Sequence, residues 1–157
     1  MRNQGQEIRY HNELVGLNNR MTDIHAALGR VQLEALTERT LLRQANAAFY
    51  DEYLEGVVTP PVRPGSSHVY HQYTIRTPGH DRDRFAEELR ARGVGSGVYY
   101  PIPCHQLPPY AGSQRFDLTH TEKAAREVLS IPVYPSLTSQ ERERVVAAVN
   151  AVAAAGC

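Results

Sequence analysis

The chain has 157 residues, 41% hydrophobic and 22% charged, an ordinary globular composition in a chain long enough to bury a core as one domain. Seventeen Lys+Arg balance seventeen Asp+Glu for a formal net charge of +0, which argues against holding nucleic acid through a broad basic field. The opening residues have no apolar signal region, and no apolar run approaches the ~18 residues of a membrane span, so a soluble, cytoplasmic protein is expected.

Residues 1–21 are polar, without a sustained period, and read as irregular. From Thr22, Ile24, Ala27, Leu28, Val31 and Ala35 recur at helical spacing. Leu42, Ala45, Phe49 and Tyr53 continue the pattern after a polar patch at 37–40. The expectation is one long helix over 22–54, capped by Asn19 or Thr22 and ended by Gly56. A single small domain cannot cover such a rod, so part of it is expected to meet another domain or subunit.

The proline-rich segment 59–65 is a stiff connector. Residues 68–76 alternate and read as a strand, and 81–92 as a short amphipathic helix closed by Gly93. Residues 98–100 read as a second strand, running into a proline-rich loop over 101–109. A helix over 121–129, capped by Thr119 or Thr121, and a short strand over 131–133 follow. The last helix, 138–154, has Thr138 as its cap and Glu141 three residues later. The order predicts an α/β, α+β-like small domain: a long N-terminal helix leading to a small mixed or antiparallel sheet with helices packed on one face. The divisions expected are 1–21, the helix 22–56 and a C-terminal domain 57–157.

Several residue groups invite a chemical reading. Gly93, Gly95 and Gly97 follow a helix and open a strand, the reverse of a phosphate-binding loop, and read as a helix stop. His68 and His71 fall on opposite faces of the predicted strand, and His105 beside Cys104 has no second pair at ligand spacing, so no metal site is expected. Cys104 and Cys157 do not make a disulfide framework. Of the 17 Lys+Arg residues only Lys123 is a lysine, which leaves a single candidate for any Schiff-base chemistry. Asn18, Asn19 and Arg20 lie just before the long helix, where free amides and the dipole favour an anion. Plain capping with Arg20 in solvent accounts for the same residues.

Three ordered motifs carry a resemblance. Arg2-Asn3-Gln4-Gly5-Gln6, Gly16-Leu17-Asn18-Asn19-Arg20-Met21-Thr22-Asp23-Ile24-His25-Ala26-Ala27 and Gln32-Leu33 together form the first. Gly97-Val98-Tyr99-Tyr100-Pro101-Ile102-Pro103-Cys104-His105 is the second, and Arg126-Glu127-Val128-Leu129-Ser130-Ile131-Pro132-Val133-Tyr134-Pro135 the third. Together they resemble the C-terminal part of the DegT/DnrJ/EryC1/StrS sugar aminotransferases, pyridoxal 5'-phosphate enzymes of the aspartate-aminotransferase fold (fold type I). Gln4 stands where His is usual, Asn19 where an aromatic is usual, His25 where Gln is usual and Tyr99 where His is usual.

The resemblance implies amino transfer, usually from glutamate, to a keto-sugar nucleotide in nucleotide-sugar biosynthesis. It implies Asn18 and Arg20 on the cofactor phosphate of a dimer partner, and Tyr99, Tyr100 and His105 beside the sugar substrate. The family's cofactor-bearing lysine lies upstream of the Arg2–Gln6 motif, so this chain has no catalytic lysine of its own and is expected to be a fragment or split subunit. Its expected partners are a second copy or a complementary large-domain chain. The alternative is a non-catalytic dimerisation or small-ligand module of the same fold.

Overall fold

The computed structural model describes residues 6–8, 11–12, 15–110 and 117–156. The chain divides into two units, Met1–Glu38 and Arg39–Cys157. Cys157 lies outside the described residues, as do Arg2, Asn3, Gln4 and Gly5 of the first motif.

In the first unit, β1 (Gln6–Ile8) pairs antiparallel with β2 (His11–Asn12), where an irregular segment was expected. Strands of three and two residues are too short for alternation to show in sequence. α1 (Asp23–Glu34) is capped by Thr22, whose Oγ1 accepts from the His25 amide, and Asp23 sits in its first turn beside the positive dipole end. Asn19 is therefore not the cap. No residue of α1 is buried.

The predicted continuous rod is two helices. α1 stops at Glu34, Ala35 takes φ −93° and ψ 0°, and α2 (Leu36–Tyr53) begins at the next residue. No glycine or proline marks the break. It falls where the chain passes from a helix with no buried side chain to one anchored in a core. The buried positions of α2 are Asn46, Ala47 and Tyr50, so Leu42 and Tyr53, which continue the apolar series, stay 43% and 47% exposed. Asn46 Nδ2 donates to Tyr134 O at 2.9 Å and the Tyr50 hydroxyl to Pro132 O at 2.8 Å. Burial of Tyr50 raises its hydroxyl pKa well above the ordinary tyrosine value. Gly56, at φ 72°, turns the chain away, and a Cβ there would lie 2.7 Å from Ala153 Cβ.

The second unit is built on an antiparallel pair, β3 (Tyr73–Arg76) and β4 (Val128–Ile131), with Tyr73 opposite Ile131 and Ile75 opposite Leu129. These four side chains are buried, while Thr74 and Ser130 bond through their hydroxyls at 2.8 Å. The strand predicted over 68–76 is shorter because Tyr70 takes a positive φ of 46°. The strand predicted over 98–100 is reduced to one antiparallel bridge between Gly97 and Ser130. Pro101 and Pro103 follow at once and supply no N–H for a ladder.

α3 (Arg82–Ala91) is capped by Asp81, whose Oδ1 accepts from the Asp83 and Arg84 amides at 3.0 Å each. It buries Phe85 and Leu89 and ends at Ala91, with Gly93, φ 77°, two residues beyond. α4 (Thr119–Glu127) begins after Leu118 with no side-chain cap, against the expected Thr119 or Thr121. Asp117 instead binds Thr119 through amide and hydroxyl. The chain turns directly from Glu127 into β4, so the last strand lies three residues before the expected 131–133. Leu129 and Ile131 are the residues that pair with β3, and Pro132 ends the ladder.

α5 (Ser139–Ala155) starts on the expected capping box. The Glu141 amide donates to Thr138 Oγ1 at 3.2 Å, and the Thr138 amide to Glu141 Oε2 at 2.8 Å. Val145, Ala148, Val149 and Val152 bury one stripe of it. The α/β class with a small antiparallel sheet is as expected.

Candidate functional site

The expected site residues fall in both units. In the first, Asn18 and Arg20 are exposed and precede the Thr22 cap by four and two residues. The Arg20 side chain has no ion pair or hydrogen bond among the described residues. The Arg20 guanidinium and the Asn18 carboxamide, just before a twelve-residue helix, form a donor set suited to a phosphate.

In the second unit, Tyr99 and Tyr100 are 50% and 77% exposed, their rings meeting edge to face with centroids 6.0 Å apart. On one side they line a cavity of about 700 Å³ that also takes in Arg43, His71, Ser96 and Tyr134. On the other they line a groove of about 570 Å³ whose further walls, Ile102, Leu107, Ala124 and Val128, are apolar. The polar cavity follows from the sheet. β4 and the Gly97 bridge bring the loop over 95–100 beside Arg43, which is held by Nη1 donation to Tyr70 O (3.2 Å) and Val133 O (3.4 Å).

His105 lies in a short 3-10 turn, Cys104–Gln106, with its Nε2 3.0 Å from Glu122 Oε1 on α4. With that nitrogen engaged, a neutral ring offers Nδ1 to a ligand. Sequence reasoning missed Glu122, 17 residues downstream at no motif spacing. It missed Arg43 too, one of the two arginines on α2.

Lys123 is 55% exposed, with Nζ 4.0 Å from Glu127 Oε1 one turn on, a solvated surface pair. Cys104 is free and exposed. Among the described residues no cluster of His, Cys, Asp and Glu is placed to hold a metal ion, and no helix is long and apolar enough to cross a membrane.

The sequence model of the DegT/DnrJ/EryC1/StrS aminotransferase family matches residues 1–150. The chain belongs to this family. It is 37% identical, over 93% of its own length and 41% of the relative, to a Geobacillus stearothermophilus protein named Pleiotropic regulatory protein. It is also 37% identical, over 93% of its length and 40% of the relative, to the UDP-2-acetamido-2-deoxy-3-oxo-D-glucuronate aminotransferase of Pseudomonas aeruginosa. Among solved structures it is similar to S. venezuelae DesV, crystallised with a ketimine intermediate. That match has 35% identity and a TM-score of 0.88, over 97% of this chain and 42% of that one. The chain thus spans about two fifths of the length of these relatives. In this DegT/DnrJ/EryC1/StrS chain, all three ordered motifs fall inside the matched span.

Proposed function

We propose that the chain is the C-terminal portion of a pyridoxal-phosphate-dependent aminotransferase that moves an amino group, from glutamate, onto a keto-sugar nucleotide in the cytoplasm. The observation that carries this reading is the family match over residues 1–150 in a chain two fifths as long as its relatives. The working assembly is a homodimer, or this chain joined to a complementary large-domain chain.

Pyridoxal phosphate, when bound, supplies the electron sink for amino transfer. The residues of this chain bind and orient. Asn18 and Arg20 fit the anionic end of the cofactor and hold it from across the dimer. Tyr99, Tyr100 and His105 contact the sugar nucleotide, with Glu122 keeping the His105 ring in place. Moving the substrate proton needs an amine next to the cofactor, and Lys123, solvated beside Glu127, does not provide one. The 157 residues therefore do not turn over by themselves.

The test is an assay of amino transfer from glutamate to a keto-sugar nucleotide, with this chain mixed with a large-domain chain of the family. Turnover that needs both chains supports the reading. Asn18→Ala and Arg20→Ala are expected to release cofactor from that mixture without lowering the melting temperature, and unchanged retention in both removes them from the site. A second reading, a non-catalytic dimerisation or small-ligand module, is favoured by the regulatory name of the Geobacillus relative. Failure of every large-domain chain to restore turnover, with self-association intact, would select it.

A further inference from the structure

We propose that Gly97 is a positioning residue. Its bare Cα is the seat that holds the Tyr99 ring as the shared wall between the polar cavity and the apolar groove, and so sets how the site takes its sugar substrate. The part that concerns substrate rests on the aminotransferase reading above, whereas the seat itself does not. The first ground is that nothing in the backbone asks for glycine at 97. The stop after α3 is served by Gly93, which takes φ 77°. Gly56, Gly65, Gly79 and Gly156 also take positive φ, and Gly97 does not, so no left-handed turn requires a glycine there.

The second ground is the ring. A Cβ on Gly97 would stand 2.7 Å from Tyr99 Cε2 and 3.1 Å from Tyr99 Cζ and the hydroxyl oxygen. Carbon atoms in contact settle at about 3.5–4.0 Å, so the ring occupies space that a methyl would otherwise fill. The main chain under it is fixed. The Gly97 amide donates to Ser130 O at 2.9 Å, and the Ser130 amide donates to Gly97 O at 2.8 Å. On its other side Ser130 pairs with Thr74 in the β3–β4 ladder. The sheet therefore holds the seat and the seat holds the ring, with the Tyr100 ring edge-on to it.

The third ground is where the ring stands. Tyr99 lines both the cavity of about 700 Å³ and the groove of about 570 Å³. The cavity presents Arg43, His71 and Ser96, and the groove Ile102, Leu107 and Val128, so moving the ring shifts a boundary between polar and apolar space. The ring is the outer end of a half-exposed side chain, so a methyl at 97 displaces it without unfolding the sheet. A group misplaced by about 1 Å at a site can lose up to ~10²-fold in rate, which makes the seat a sensitive one.

The experiment compares the wild type, Gly97→Ala, Tyr99→Ala and the double variant by two readouts. In the full 157-residue chain, Gly97→Ala is expected to shift the Tyr99 and Tyr100 ring NMR signals and to leave those of the buried Tyr50 and Tyr73 in place. In the mixture with a large-domain chain, it is expected to raise KM for the keto-sugar nucleotide about tenfold while kcat changes by less than about twofold. Added to Tyr99→Ala, it is expected to change neither parameter further, because the atoms that the methyl strikes are gone. A general loosening of the sheet would instead add its own cost in both backgrounds. Unmoved ring signals in Gly97→Ala, an unchanged KM in a mixture that turns over, or additive effects of the two substitutions would each overturn the proposal. A mixture that never turns over removes the aminotransferase reading alone, and the ring signals still decide whether Gly97 seats Tyr99.

Discussion

α1 and α5 carry the same kind of signal and meet opposite fates. Ile24, Leu28 and Val31 recur at helical spacing on α1 and are 75%, 60% and 63% exposed. Val145, Val149 and Val152 recur likewise on α5 and are at most 4% exposed. Periodicity shows that a helix has an apolar face; it does not show what covers it. The second unit supplies its own cover, through β3, β4 and α3. The apolar stripe of α1 has no cover among the described residues, and the chain is two fifths as long as its relatives. In the assembly proposed above, that stripe is the surface a large-domain chain would cover.

The sharpest way to break that comparison is to empty the core. Leu129, fully buried opposite Ile75, is expected on truncation to Ala to cost about 3 kcal/mol and to lower the denaturant midpoint of the second unit. A cost under ~1 kcal/mol would mean that the sheet is not the centre of this unit. Next comes Arg82, 9% exposed, whose Nη1 donates to the carbonyls of Ala125 and Val128 at 3.1 and 3.3 Å. Arg82→Ala leaves both acceptors without that donor and is expected to cost about 2 kcal/mol by thermal unfolding.

A smaller effect is expected from pH, through two helix caps of the second unit. Asp81 has its carboxyl pKa lowered, first by the Arg84 amide and then by the Asp83 amide, and Glu141 by the Thr138 amide. A lowered folded pKa adds stability that is complete above the ordinary carboxylate range near pH 4 and is lost as pH falls through the folded value. The wild-type melting temperature is thus expected to fall between pH 5 and pH 2.5, and to fall less in Asp81→Ala and Glu141→Gln. Equal slopes would remove these caps from the acid response. The smallest effect is expected at Leu28. Leu28→Ala should change the stability of the chain by less than ~0.5 kcal/mol, since the side chain stays exposed on folding. In an assembly with a large-domain chain the same substitution should weaken association, which turns the silence of α1 into a positive result.

What could be read in advance was what is decided locally. The Thr138–Glu141 box, the Asp81–Arg92 helix and its Gly93 stop depend on neighbours within five residues, and the sequence displays them. The position of β4 depends on pairing with a strand over fifty residues away, so Val128–Ile131 was placed three residues late. The break at Ala35 has no glycine or proline to announce it. At the site, the tyrosines and His105 were visible through motif order. Arg43 and Glu122 were not, because a cavity joins them to those residues only after the sheet and α4 are in place.

The central claim is that these residues bind and orient but carry no amine placed for amino transfer. The most direct test is to incubate the purified chain with pyridoxal phosphate, reduce with borohydride, and map any label by peptide mass spectrometry alongside a turnover assay with glutamate. No stoichiometric label at Lys123 and no turnover are expected. Stable labelling of Lys123 together with turnover by the chain alone would contradict it.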